Sequence, residues 1–295
     1  MKISEIHQKK GTDTISFEIF PPKGDFDLDT VRKLVGELSL LSPDYISVTY
    51  SAGGGGNSKN TIAVTSTVKS EFNMESMAHL TCINSSLQDI EVIMAQFKEK
   101  GIENVFALRG DLPEGAVPSA DFKYAKDLIP LLKQNGFCVG AACYPEGHVQ
   151  CESVEKDIYY LREKEQAGAD FFISQLFFDN EHYFRFLEKA RSAGVTKPIA
   201  AGIMPLLGKS QISRMIFMCG ASLPSAIIRI LNRYENNPDD LRKAGIEYAA
   251  QQIVDIMEYG DSSIHIYTMN HPDIAASQLE YIGRLKKAKT QGYEL

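Results

Sequence analysis

The chain reads as an α/β protein, a (β/α)8 TIM barrel with an extra helix between strands seven and eight. Three observations predict it. Short β-branched and aromatic runs alternate with amphipathic stretches, and successive runs start about 30 residues apart, the length of one βαβ unit. No dinucleotide-type G-x-G-x-x-G turn follows the first run, where an open doubly wound sheet would show one; Phe20-Pro21-Pro22 stands there instead. Polar residues gather at the carboxyl ends of the runs, where barrels of this kind carry function.

The predicted strands are Thr14–Phe20, Tyr45–Tyr50, Ala78–Cys82, Asn104–Leu108, Phe137–Ala142, Phe171–Phe177, Ile199–Ile203 and Ser263–Tyr267. The last gap is about twice the others, which is room for the extra helix. The helices between them carry their own punctuation. Ser86 caps a stretch in which Leu87, Ile90, Met94 and Phe97 share a face, and Gly101 fits the stop. Ser153 opens the stretch with Val154, Ile158 and Leu161, ended by Gly168. Phe184, Leu187 and Ala190 repeat the pattern before Gly194. Pro130 lies inside a helical stretch and is expected to kink or end it. The run Gly53–Gly56 lacks the Gly-Lys-Ser/Thr of a phosphate loop and reads as a mobile loop or a lid.

At 295 residues the chain is long enough for two domains. With no low-complexity linker dividing it, residues 1–295 are read as one barrel domain. Apolar residues make up 44% and charged residues 23%, which excludes disordered and coiled-coil classes. A net charge of −7 argues against nucleic-acid binding. No apolar stretch has the length of a membrane span, and the polar start MKISEIHQKKGTD lacks the apolar run of a secretory signal. The five cysteines are odd in number and scattered, so they read as reduced thiols of a cytoplasmic protein with no metal site.

Glu18 allows the sharpest argument. On the first strand Ile15, Phe17 and Ile19 share one face, which should pack on helices; Ser16, Glu18 and Phe20 share the other. A carboxylate on the apolar face would be costly, so Glu18 should point into the barrel mouth. Desolvation there would raise its pKa and suit a general acid; the alternative is an ion pair with a neighbouring strand. Arg109 and Asp111 flank Gly110 after strand four, as a structural ion pair or as two charges offered to a polar ligand. His79 reads as a core histidine or a ligand contact, and Asp157 and Lys164 as a solvated helix pair or part of the site. Tyr144, Glu146 and His148 follow strand five, Gln175 lies in strand six, Asn270-His271 follows strand eight, and Cys143 has no evident base to activate it.

Taken in order, eight segments resemble the methylenetetrahydrofolate reductase family of flavoenzymes: SFEIFPPK (Ser16–Lys23), SVTY (Ser47–Tyr50), AHLTC (Ala78–Cys82), ALRGDLP (Ala107–Pro113), AACYPEGH (Ala141–His148), Gln175 with FFD (Phe177–Asp179), GIMP (Gly202–Pro205) and IHIYTMN (Ile264–Asn270). The resemblance implies reduction of 5,10-methylenetetrahydrofolate to 5-methyltetrahydrofolate through bound FAD, or FMN, with NADH, NADPH or a partner protein as electron donor. It implies that Glu18 is the general acid and that Asp111 is the acid beside flavin and pterin. Thr49, His79, Arg109, Tyr124, Ala125, Tyr144, His148, Asp157 and Lys164 match flavin-binding positions; Gln175, Gln211 and His271 match the substrate side. It also implies a homo-oligomer or a complex with an electron-delivering partner.

Met215 stands where well-known members carry Phe, and His271 where they carry Arg; Tyr160 and Glu163 replace residues that help hold the flavin. Two other readings stand beside this one: a different flavin barrel such as a proline dehydrogenase, and a folate-binding methyl-transfer barrel without a redox cofactor.

Overall fold

The computed structural model describes residues 1–10, 14–22, 27–50, 58–112, 115–260 and 263–290; the Gly53–Gly56 run lies outside them. In chain order the elements are α1 (Ile3–Lys10), β1 (Ile15–Ile19), α2 (Leu28–Ser39), β2 (Tyr45–Val48), α3 (Ser58–Phe72), β3 (Ser76–Thr81), α4 (Leu87–Glu99), β4 (Asn104–Leu108), α5 (Ala125–Gln134) and β5 (Cys138–Cys143). The second half continues with α6 (Val154–Gln166), β6 (Phe171–Ser174), α7 (Asn180–Ser192), β7 (Ile199–Ile203), α8 (Lys209–Cys219), α9 (Ser225–Arg233), α10 (Pro238–Tyr259), β8 (Ile264–Tyr267) and α11 (Pro272–Thr290). The eight strands close into a parallel barrel in sequence order, β8 pairing with β1.

Strand alternation divides the side chains into two populations. Phe17, Ile19, Ile46, Val48, Val105, Val139, Phe172, Ile264 and Ile266 enter the layer between barrel and helices. The inward set at the amino ends of the strands is Tyr45, Met77, Phe106, Cys138, Phe171 and Ala200. Helix α1 closes that end, with Ile3 and Ile6 packed into the same cluster and the Ile3 amide donating to Asn104 Oδ1 at 2.8 Å. This plug was not expected from so polar a terminus. Ile3, Ile6 and His7 do share one helix face, and all three are buried.

The local signals act as their chemistry requires. Ser86 Oγ accepts from the Asp89 amide, and Asp89 returns the bond to the Ser86 amide, a capping box of about 1 kcal/mol. Ser153 caps α6 through the Lys156 amide. Three expectations shift. Helix α5 does not end at Pro130 but runs through it to Gln134, because Leu128, Ile129 and Leu132 are buried and outweigh one lost backbone bond. Strand β6 ends at Ser174, so Gln175 begins the loop after it. The connection from β7 to β8 holds the extra helix and one more, making three in all.

Candidate active site

Glu18 does face inward, near the carboxyl end of β1. Its Oε2 lies 3.6 Å from His79 Nε2 of β3 and 3.5 Å from His265 Nε2 of β8. Each imidazole rests on a serine of a neighbouring strand. Ser47 Oγ of β2 is 2.6 Å from His79 Nε2, and Ser16 Oγ of β1 is 2.7 Å from His265 Nδ1. Burial pushes His79 down to about 4, and the nearby His265 adds to this while Glu18 opposes it. His79 is therefore neutral at pH 7.

The end of β1 is held from β8. Thr268 Oγ1 donates to the Glu18 carbonyl at 2.6 Å. The Asn270 side chain accepts from the Phe20 amide at 2.9 Å and donates to the Phe20 carbonyl at 2.8 Å. Asn270 and Met269 both take left-handed backbone, φ 59° and 54°, which turns the chain back toward β1. Tyr267 OH spans to the Ser174 carbonyl of β6 at 2.8 Å. It passes over Gly202 of β7, where a Cβ would stand 2.2 Å from that carbonyl and 2.7 Å from Tyr267 OH, so only glycine fits.

Beside this pocket, a cleft opens over β4 and β5. One lobe is lined by Arg109, Tyr124, Ala125, Tyr144, His148, Asp157 and Lys164, together with Lys126, Lys156 and Tyr160. The other adds Asp111 and Gln175, and shares Arg109, Tyr144 and His148 with the first. Gly110 has φ 80°, and a Cβ there would lie 2.8 Å from Thr81 Cβ. That close turn lets Arg109 and Asp111 both reach the rim. Asp111 is 95% exposed and 4.0 Å from Arg109, too loose for a structural ion pair to be its reason.

Lys164 Nζ crosses beneath Tyr144, 5.4 Å from its ring centre, and donates to the Ala142 carbonyl at 2.8 Å. That leaves ammonium protons for an anion or a ring oxygen. Burial lowers the Lys164 pKa, and Asp157 opposes the shift. Burial raises the Asp157 carboxyl, against Lys164; its Oδ2 accepts from the His148 amide at 2.8 Å. His148 packs edge-on to Tyr144 at 4.7 Å. A cationic, aromatic floor with free N–H groups fits the phosphates and polar ring edge of a flavin nucleotide.

The predicted residues thus fall into groups. Arg109, Tyr124, Ala125, Tyr144, His148, Asp157 and Lys164 share one lobe, Asp111 and Gln175 the other, and Glu18 and His79 the pocket beside them. Thr49 lies just beyond β2, its amide donating to Ile19 O at 2.9 Å. Gln211 and His271 line neither lobe. The Gln211 amide is taken up by its own loop, accepting from Leu207 N at 2.7 Å and donating to Pro205 O at 3.2 Å. His271 is half exposed, 3.8 Å from Asp273. Glu163 pairs with Lys126 of α5 at 2.7 Å, so a cation stands beside the lobe although position 163 is acidic. His265 was not singled out in the sequence. The alternation argument applied to Glu18, used again on Ile264-His265-Ile266-Tyr267, would have found it.

A carboxyl set between two imidazoles at the mouth of a (β/α)8 barrel, next to a cation-floored cleft, defines a barrel enzyme. Comparison with known proteins narrows the class. A family model described as methylenetetrahydrofolate reductase matches residues 2–283, and the chain belongs to that family. A 5,10-methylenetetrahydrofolate reductase of Pectobacterium carotovorum subsp. carotovorum is 33% identical over 276 residues, 93% of this chain and 91% of that one. The Escherichia coli (strain K12) protein of the same name is 30% identical, covering 93% and 92%. A methylenetetrahydrofolate reductase (NADH) of Arabidopsis thaliana is 30% identical over 95% of this chain, which spans only 50% of that protein. Among solved structures, an uncharacterized Clostridium thermocellum protein that binds two copies of 5-methyl-5,6,7,8-tetrahydrofolic acid superposes with TM-score 0.69 at 13% identity, covering 97% and 99%, a likeness of fold.

Among the described residues no helix is long and apolar enough to cross a membrane, and no cluster of His, Cys, Asp and Glu could hold a metal ion.

Proposed function

We propose that this barrel reduces 5,10-methylenetetrahydrofolate to 5-methyltetrahydrofolate, with FAD in the β4–β5 cleft and Glu18 as the general acid. The observation that carries this reading is the placement of Glu18 among buried, serine-bound imidazoles beside a cleft with a cationic floor. FAD, once reduced by the electron donor, would supply the hydride. Arg109 and Lys164 would hold its negatively charged and oxygen-bearing groups, and His148 and Asp157 would meet its hydroxyls. Lys126, Lys156 and Tyr160 also line the first lobe and add cationic and aromatic surface for the nucleotide end.

The substrate's five-membered ring must open before its methylene carbon can accept hydride. Glu18 donates a proton to the departing nitrogen as the carbon–nitrogen bond breaks, leaving an iminium cation. Asp111 at the rim stabilises that cation. Gln175, which lines the second lobe, serves the substrate side, and NADH, NADPH or a partner protein is the electron donor. The chain works in the cytoplasm as a homo-oligomer or in a complex with an electron-delivering partner.

Anaerobic stopped-flow on the yellow protein tests the reading. NADH or NADPH should bleach the flavin, and methylenetetrahydrofolate should restore the colour. A colourless protein that takes up neither FAD nor FMN would overturn it.

A further inference from the structure

We propose that His265 is a positioning residue for Glu18, whose tautomer decides which carboxyl oxygen carries the acid proton. The proposal rests on the reading of Glu18 as the acid.

Ser16 and Glu18 lie two apart on the inward face of β1, and His265 pairs in register with Ser16. The imidazole is fully buried and touches both. Ser16 Oγ lies 2.7 Å from His265 Nδ1 and 3.3 Å from the Ile264 carbonyl. Once the acid has given up its proton, a bare Nε2 lone pair would face the lone pairs of Glu18 Oε2, so Nδ1 is the nitrogen that accepts the Ser16 hydroxyl proton. A neutral imidazole then carries its own proton on Nε2. That nitrogen has no hydrogen-bond partner among the described residues, and Glu18 Oε2 lies 3.5 Å from it.

On the other side, His79 Nε2 is 3.6 Å from the same Oε2 but is already engaged by Ser47 at 2.6 Å. One imidazole is committed and the other is free to serve Oε2. A carboxylic acid has one proton. With Oε2 accepting from His265, that proton belongs on Oε1. Contacts of this length commonly tighten when substrate closes the site.

Two measurements test this. Nitrogen-15 NMR of the histidine rings in the intact chain, with the His265 signals assigned by their loss in His265→Asn, should show the Nε2–H tautomer. An Nδ1–H tautomer overturns the proposal. The second measurement compares two amides. Asn places its amide where Nδ1 was, still facing Ser16; Gln places it where Nε2 was, still facing Glu18. His265→Asn should slow reoxidation by methylenetetrahydrofolate about tenfold or more, while His265→Gln stays within about threefold. Both should bleach with the electron donor at the wild-type rate. Equal losses in the two variants, or bleaching that falls in step, overturn the proposal. If Glu18→Gln itself keeps wild-type folate turnover, the acid reading fails instead, and the NMR result still decides where His265 aims.

Discussion

On the β8–β1–β3 side of the mouth, Ser16, Ser47, His79 and His265 are buried and bound to one another around Glu18. On the β4–β5 side, Arg109, His148 and Lys164 line an open cleft and keep donors for something that is not protein. The first arrangement suits moving one proton at one place, since its rings and hydroxyls are buried and hydrogen-bonded to protein. The second suits holding a large polar ligand, because it pairs one buried cation with an aromatic floor and leaves its outer residues to the solvent. One barrel end therefore carries a rigid acid and an adaptable cradle, and they should fail separately.

The strongest test of that separation is Glu18→Gln. It should cut methylenetetrahydrofolate reduction about a hundredfold or more while leaving flavin content and bleaching by the donor intact. Parallel loss of both half-reactions would mean the two sides are not independent.

The acid pocket should also show itself in stability against pH. His79 is held at about 4, against 6.5 in an unfolded chain. Above pH 6.5 neither state binds the proton. As pH falls toward 4 the unfolded chain takes it up and the folded chain refuses, so stability drops, on the order of 3 kcal/mol. Thermal melts across this window should show the slope, and His79→Gln should flatten it.

On the cradle side, Lys164→Met should weaken flavin binding by about 2 kcal/mol, roughly thirtyfold, read by titration of the apoprotein. Glu18→Gln should not move that constant. Asp111→Asn removes an exposed charge, so its effect is smaller. The flavin potential should rise by roughly 20 mV and be sensitive to salt, and folate reduction should slow. Smallest is His271→Arg, at a half-exposed position. It should improve the KM for NADH by about threefold, the scale of one solvent-exposed ion pair.

Strand order and the inward aim of Glu18 were legible because alternation along a strand is a hard geometric rule. Ser86, Ser153, Gly101, Gly168 and Gly194 announced helix ends for a similarly local reason: a cap needs a particular side chain or a positive φ. What escaped depends on distant partners. Pro130 looks like a helix breaker until the barrel surface beneath α5 is present. Helix α1 is too short to read as a helix until there is a barrel end for it to fill. Gln211 has no visible reason in the sequence to turn its amide onto Pro205 and Leu207.

The clasp between Asn270 and Phe20 joins residues 250 apart in the chain. The seam it closes, β8 against β1, has the longest loop-closure distance in the barrel, and such contacts form late. Residues Ala107 to Lys164, which line the first lobe, lie between the two halves of that seam. A growing chain can therefore shape the cradle before β8 exists, whereas Glu18 meets His265 only when the last strand arrives. Proton chemistry is thus switched on by completion of the fold, and a chain stopped short of β8 would lack it.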